Sequence, residues 1–270
     1  MMKKLLLPLF FAAFLHHSAI AEEISNSNEI TYDFLVRNSQ DTGYGDHIPY
    51  FRDIFEKITV KTLLEFGLGY STKYYLDHCN KVISVEFITS GYGPTWMKKC
   101  IDLYRGYSNW VPIAYFSDYK GDMSWAPYKY IGSDGIAKAS SHQSRTYQSY
   151  STIDNFYLNE LTTFVKNLTK YNKVDVALVD PGNYIRGELV QMLFDKSPII
   201  LANHVNFSFL RLKDDIYGYS RIITPDDYEE IHLQEGMGTI IWIKKNPELQ
   251  ELIDYFKNQA AAIKKARRGN

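Results

Sequence analysis

Along most of the chain the hydrophobic pattern switches between two kinds of segment. Short runs rich in β-branched and aromatic residues alternate with longer stretches whose apolar positions fall three and four apart. Thr62–Phe66, Lys81–Phe87, Trp110–Phe116, Val174–Val179 and Pro198–Val205 read as strands. Ser71–His78, Pro94–Tyr104, Thr152–Leu168 and Arg186–Phe194 read as the helices between them. Strands joined through helices of this length pair in parallel through right-handed crossovers, so the pattern predicts an α/β domain. Ile30–Ile58 predicts one or two capping helices with a loop at Thr42–Gly45. Arg221–Thr224 is a further strand candidate, Gly238–Lys244 a late strand, and Pro247–Lys265 a C-terminal helix.

Two stretches depart from this rhythm. Lys3 and Lys4 precede the apolar run Leu5–Leu15, and Ala19-Ile20-Ala21 offers small residues at a cleavage site. That order is a secretory signal, and the run is about 11 residues, short of the roughly 18 that span a bilayer. The expectation is an exported protein, periplasmic or secreted if bacterial, with no stable membrane span after cleavage. Lys120–Ser151 is rich in Gly, Ser and Tyr without a clear period. Its aromatic residues argue against simple disorder, and it reads as an insertion after the third strand. The division is therefore a signal peptide over 1–21, a leader and capping helix over 22–50, and an α/β domain over 51–270.

Charge narrows the partners. The 270 residues carry 30 Lys and Arg against 31 Asp and Glu, which argues against a general nucleic-acid binder. The basic tail Lys264–Arg268 ends a predicted helix, where cations complement the helix dipole. Cys79 and Cys100 are the only cysteines. They are compatible with a disulfide or with two buried thiols, and neither has a metal-finger partner.

The chemistry concentrates where the first strand ends. Leu63-Leu64-Glu65-Phe66 runs into Gly67 and Gly69, one residue apart. Glycines there allow a sharp turn and a close backbone approach to a ligand. Ser71 or Thr72 then opens a helix whose free N–H groups favour an electron-rich group. Glu86 ends the second strand, where an acidic side chain accepts hydrogen bonds from ribose hydroxyls. Thr72 stands where the dinucleotide fingerprint requires a third glycine, which weakens a nicotinamide reading. No Gly-x-Ser-x-Gly elbow and no Walker phosphate loop occurs.

Glu65-Phe66-Gly67-Leu68-Gly69 with Ser84-Val85-Glu86 resembles the first two motifs of the class I S-adenosylmethionine-dependent methyltransferases, over roughly Phe51–Lys245. The resemblance implies a Rossmann-like doubly wound sheet of seven strands, mostly parallel, with Gly238–Lys244 as the antiparallel last strand. It implies that Glu65 faces the methionine ammonium, Gly67 and Gly69 pass under S-adenosylmethionine, Glu86 holds the ribose and Asp118 lies near adenine. Catechol-type members place Asp, then Asp-Asn, at the next strand ends and bind magnesium there. This chain has Asp180, then Asn203-His204. An amide in place of a carboxylate lowers magnesium affinity, and imidazole suits a softer ion such as zinc or iron. Asn203 and His204 read more simply as hydrogen-bonding residues, so a divalent metal is not expected. The family's lysine base would fall near Asn183 and is missing.

Asp180 and His204 remain as base candidates, and Arg186 as a grip for an anionic substrate or a partner for a nearby acid. Two functions are compatible: an exported methyltransferase-like enzyme acting on a small-molecule oxygen, or a non-catalytic binding protein on the same scaffold. The first is the leading reading and the second its alternative: the cofactor is made in the cytoplasm, so an exported enzyme must end in a compartment that contains it, such as a host cell, or the fold now does something else. Expression in a secretion-competent host should give a mature protein beginning at Glu22, read by intact mass; a full-length exported product overturns the signal assignment.

Overall fold

The computed structural model describes residues 24, 26–42, 45–89, 93–132, 158–182, 185–205 and 217–268. The signal segment, residues 133–151 of the insertion and the start of the Thr152–Leu168 helix lie outside these. Helices α1 (Tyr32–Thr42) and α2 (Ile48–Lys57) precede β1 (Thr62–Phe66), α3 (Ser71–His78), β2 (Lys81–Thr89), α4 (Thr95–Tyr104), β3 (Trp110–Ser117) and β4 (Tyr128–Gly132). Then follow α5 (Asn159–Tyr171), β5 (Val176–Val179), α6 (Arg186–Leu193), β6 (Ile199–Asn203), β7 (Tyr228–Leu233), β8 (Thr239–Lys244) and α7 (Gln250–Arg268).

The strands form one sheet in the order β4-β3-β2-β1-β5-β6-β8-β7. The first six pair in parallel, and β8 runs antiparallel between β6 and β7. Strand direction reverses its build order between β1 and β5, which is the switch point where open α/β sheets bind ligands. Alternation along each strand divides the core. Leu63 and Val82 face the layer that contains Ile54, Tyr75, Tyr104 and Phe256, from α2, α3, α4 and α7. Leu64 and Ile83 face the layer of Leu161, Val165, Leu189 and Leu193, from α5 and α6. The central strands are buried on both faces, as continuous apolar runs require.

Two sequence expectations change. The sheet has eight strands among the described residues instead of seven, because Tyr128–Gly132, inside the expected insertion, adds β4 to the edge of β3. Arg221–Thr224 is not a strand. Tyr219–Arg221 is a turn of 3-10 helix, entered through Gly218 at φ 75°. The strand lies further on, at Tyr228–Leu233, where Tyr228, Ile231 and Leu233 are buried and the intervening Glu230 and His232 are exposed. Cys79 and Cys100 are both free and buried. No helix among the described residues is long and apolar enough to cross a membrane.

The β1–α3 turn depends on Gly67, which has φ 85° and donates its N–H to Val85 O. A Cβ at Gly67 would lie 2.4 Å from Asp180 O and 2.6 Å from Pro181 Cα. Backbone touches backbone here, at the ends of β1 and β5, and neither side can yield. Gly67→Ala should therefore destabilise the protein by about 3 kcal/mol, the sum of left-handed strain and overpacking. Urea unfolding checks it; a loss below about 1 kcal/mol contradicts this packing.

Candidate ligand cleft at the strand ends

A cavity of about 180 Å³ opens at the carboxyl ends of β1, β2, β5 and β6. Gly67, Gly69, Ser71 and Glu86 line one side of it, and Asp180, Arg186 and His204 the other. Seven of the sequence-predicted site residues thus share one cleft.

Three do not. Glu65 is fully buried, with Oε1 accepting from Thr72 Oγ1 at 2.8 Å and from Ser84 Oγ at 2.5 Å. Ser84 Oγ in turn accepts from Trp110 Nε1 at 2.7 Å. Glu65 Oε1 is thus engaged beneath the glycine turn, while Oε2 is buried without a hydrogen-bond partner among the described residues, and Glu65 does not line the cavity. Thr72 does not present its side chain to the cleft, because its hydroxyl also accepts from Gly69 N at 3.0 Å. Asp118 is exposed after β3, at φ 55°, and does not line the cavity, so its expected place near a cofactor ring is not supported by position.

The glycine turn is held from several directions. Leu68 N donates to Glu86 Oε2 at 3.1 Å. Trp96 Nε1 donates to Leu68 O at 2.8 Å, and Tyr104 Oη to Gly69 O at 2.9 Å. A Cβ at Gly69 would meet nothing nearer than Ser71 Oγ at 4.0 Å. The space above Gly69 is therefore open cleft, which a side chain would fill.

On the opposite side a buried ion pair organises the strand ends. Arg186 Nη1 lies 2.6 Å from Asp180 Oδ1, with both side chains largely shielded. The guanidinium donates from Nε to Pro181 O and from Nη1 to Asn203 O, each at 2.9 Å, and stacks over the Tyr217 ring at 4.2 Å. Tyr219 Oη donates to the same Asn203 carbonyl at 2.7 Å. Burial raises the Asp180 pKa, but Arg186 and then His204 outweigh it and hold the carboxyl below its ordinary value. His204 has φ 63° and brings Nδ1 to 3.9 Å from Asp180 Oδ1. Arg186 is thus the partner of an acid; its donors point to backbone and carboxylate.

The Asn203 side chain is also committed. Thr239 Oγ1 donates to Asn203 Oδ1 at 3.1 Å, and Asn203 Nδ2 meets His47 Nδ1 at 2.9 Å. Among the described residues no group of three or more His, Cys, Asp and Glu side chains is arranged to hold a metal ion. His47, Trp96, Leu35 and Asn38 also line the cleft and were not anticipated from the sequence. No local pattern marks His47; only its pairing with β6 brings it to the site.

No family model matches the sequence, and no curated protein matches it either. Among solved structures, a protein assigned as a caffeoyl-CoA O-methyltransferase from Staphylococcus aureus superposes with a TM-score of 0.50. The two are 12% identical, over 86% of this chain and 98% of that one. The chain has the class I methyltransferase fold. An O-methyltransferase from Bacillus cereus in complex with S-adenosylhomocysteine aligns with a TM-score of 0.48 and 14% identity, over 84% of this chain and 96% of that one.

Burial pushes both Glu65 and Glu86 up to about 8, with hydrogen bonds opposing and neighbouring carboxylates adding to the rise. Each binds its proton more tightly in the fold than in the unfolded chain. The resulting stability is fully present below about pH 4.5 and lost as pH rises through about 8. The melting temperature should fall between pH 5 and pH 8.5, and Glu65→Gln should flatten roughly half of that fall. An unchanged slope in thermal melts of the variant contradicts the protonated state of Glu65.

Proposed function

We propose that this protein binds S-adenosylmethionine in the cleft and transfers its methyl group to an oxygen of a small acceptor. The observation that carries the reading is the pairing of Glu86 with the open space over Gly69. A carboxyl edge and a stretch of backbone without a side chain lie together on one wall of the cavity, as a ribose and the chain attached to it require. The class I fold and the likeness to an O-methyltransferase support the same reading. Glu86 would accept from the ribose hydroxyls, while Leu68 N, Trp96 and Tyr104 keep the turn in shape.

The bound cofactor supplies an electrophilic methyl carbon on a sulfonium. An acceptor oxygen would take that methyl group and give up its proton to a base of this chain, the cofactor departing as the thioether. His204 is the base in this reading, with Asp180 beside it to favour the imidazolium. Asp180 itself is a weak base, since Arg186 holds it ionised. Arg186 fixes the carboxylate that faces His204. Alignment within the cleft supplies most of the acceleration.

The signal-like segment over 1–21 supports export, and with it a second reading in which the same cleft binds a nucleoside without turnover. The ion-paired state of Asp180, which leaves one imidazole as the base, favours that reading over a metal-assisted enzyme.

Titration calorimetry with S-adenosylhomocysteine tests both. Wild-type protein should bind in the micromolar range, and Glu86→Ala should weaken binding about tenfold, the cost of the hydrogen bonds lost with its carboxyl. No binding at millimolar ligand, or an unchanged affinity in the variant, overturns the cofactor site.

A further inference from the structure

His47 sits in the cleft wall with one ring nitrogen accounted for and the other not. We propose that His47 is a ligand-binding residue whose Nε2–H donates to a carboxylate oxygen of the molecule in the cleft. This rests on the nucleoside reading above. The oxygen belongs either to the amino-acid end of the cofactor or to the acceptor.

The tautomer follows from a chain of hydrogen bonds. The Thr239 hydroxyl donates to Asn203 Oδ1, which fixes the amide. Asn203 Nδ2 then faces His47 Nδ1 at 2.9 Å. An amide nitrogen only donates, so Nδ1 accepts and the ring proton sits on Nε2. Nε2 is buried and has no hydrogen-bond partner among the described residues, although the ring lines the cavity and is 2% exposed. Leaving a buried donor unmet is costly, and an apo site tolerates it where the bond tightens only with ligand bound.

The charge state agrees. Burial, with Arg186 adding to it and Asp180 opposing, lowers the His47 pKa to about 4. The ring is a neutral donor at physiological pH and does not compete with His204 for the acceptor proton. A donor of this kind needs an oxygen lone pair, and a carboxylate is the strongest such acceptor. The ring is also rigidly seated, edge-on to Phe51 at 5.8 Å and followed at once by α2. It orients a ligand instead of adapting to it.

Full-length protein with ¹⁵N-labelled histidine tests this in long-range proton–nitrogen spectra. The free protein should show His47 protonated on Nε2 alone. S-adenosylhomocysteine carries an amino-acid carboxylate, and 5′-methylthioadenosine lacks it. If the cofactor supplies the oxygen, S-adenosylhomocysteine moves the Nε2–H signal and methylthioadenosine does not. His47→Phe then weakens only the former, by about tenfold. If the acceptor supplies it, benzoate added to the methylthioadenosine complex moves the signal, and His47→Phe removes that response. His47→Gln keeps a side-chain N–H and should stay within about threefold of wild type, which separates donation from packing. A proton on Nδ1, or an Nε2–H signal that neither carboxylate moves, overturns the proposal. If neither nucleoside binds, the nucleoside reading fails, and benzoate titrated alone decides for or against His47 by the same signal.

Discussion

The cleft depends on the buried pair of Arg186 and Asp180. A guanidinium removed from water must have its charge and its N–H groups met, and here a carboxylate, two carbonyls and a tyrosine face do so. Those partners come from the end of β5, the end of β6 and the segment before the 3-10 turn. Losing either charge would strand the other, at a cost typical of broken buried pairs, about 3–5 kcal/mol. The pair therefore acts as a clasp that fixes the relative position of three pieces of chain, and everything that lines that side of the cleft inherits that position. Gly187 completes it. A Cβ there would lie 2.2 Å from Gly218 O, so α6 and the returning segment approach backbone to backbone, close enough for Tyr217 and Tyr219 to reach Arg186 and Asn203.

The two sides of the cleft differ in electrostatic character. Around β1 and β2, burial without cations favours neutral carboxyls at Glu65 and Glu86. Around β5 and β6, Arg186 keeps Asp180 ionised. The same side chain type is thus set to opposite protonation tendencies within one cavity, by one nearby guanidinium. A ligand that brings positive charge toward Glu86 would draw its proton off, which couples binding to proton release on that side only.

Much of this was legible in the sequence because it is local. The strand and helix order, the glycine turn and the acidic end of β2 each follow from residues within a few positions of one another. The likeness to class I methyltransferases rested on those segments, and the fold agrees. What escaped was set by alternation and by distant partners. The burial of Glu65 beneath the turn was not legible, because the Ser84 hydroxyl that engages its Oε1 comes from the neighbouring strand. Strand β7 was missed because adjacent Glu229 and Glu230 interrupt its apolar positions, with Tyr228 in one core layer and Ile231 and Leu233 in the other. His47 had no signal at all, since its partner lies 156 residues away.

That separation has a consequence for how the site comes into being. Asp46 accepts from Met237 N, across 191 residues, just beside the His47–Asn203 contact. The N-terminal cap of the cleft is therefore closed by the last strands of the sheet. A chain made from its N-terminus carries Asp46 and His47 unpaired until β6 and the turn before β8 exist. Long-range closures of this kind form late and slowly. The molecule can hold most of its sheet while its cleft is still open on one side, so ligand-binding competence should be among the last properties it acquires.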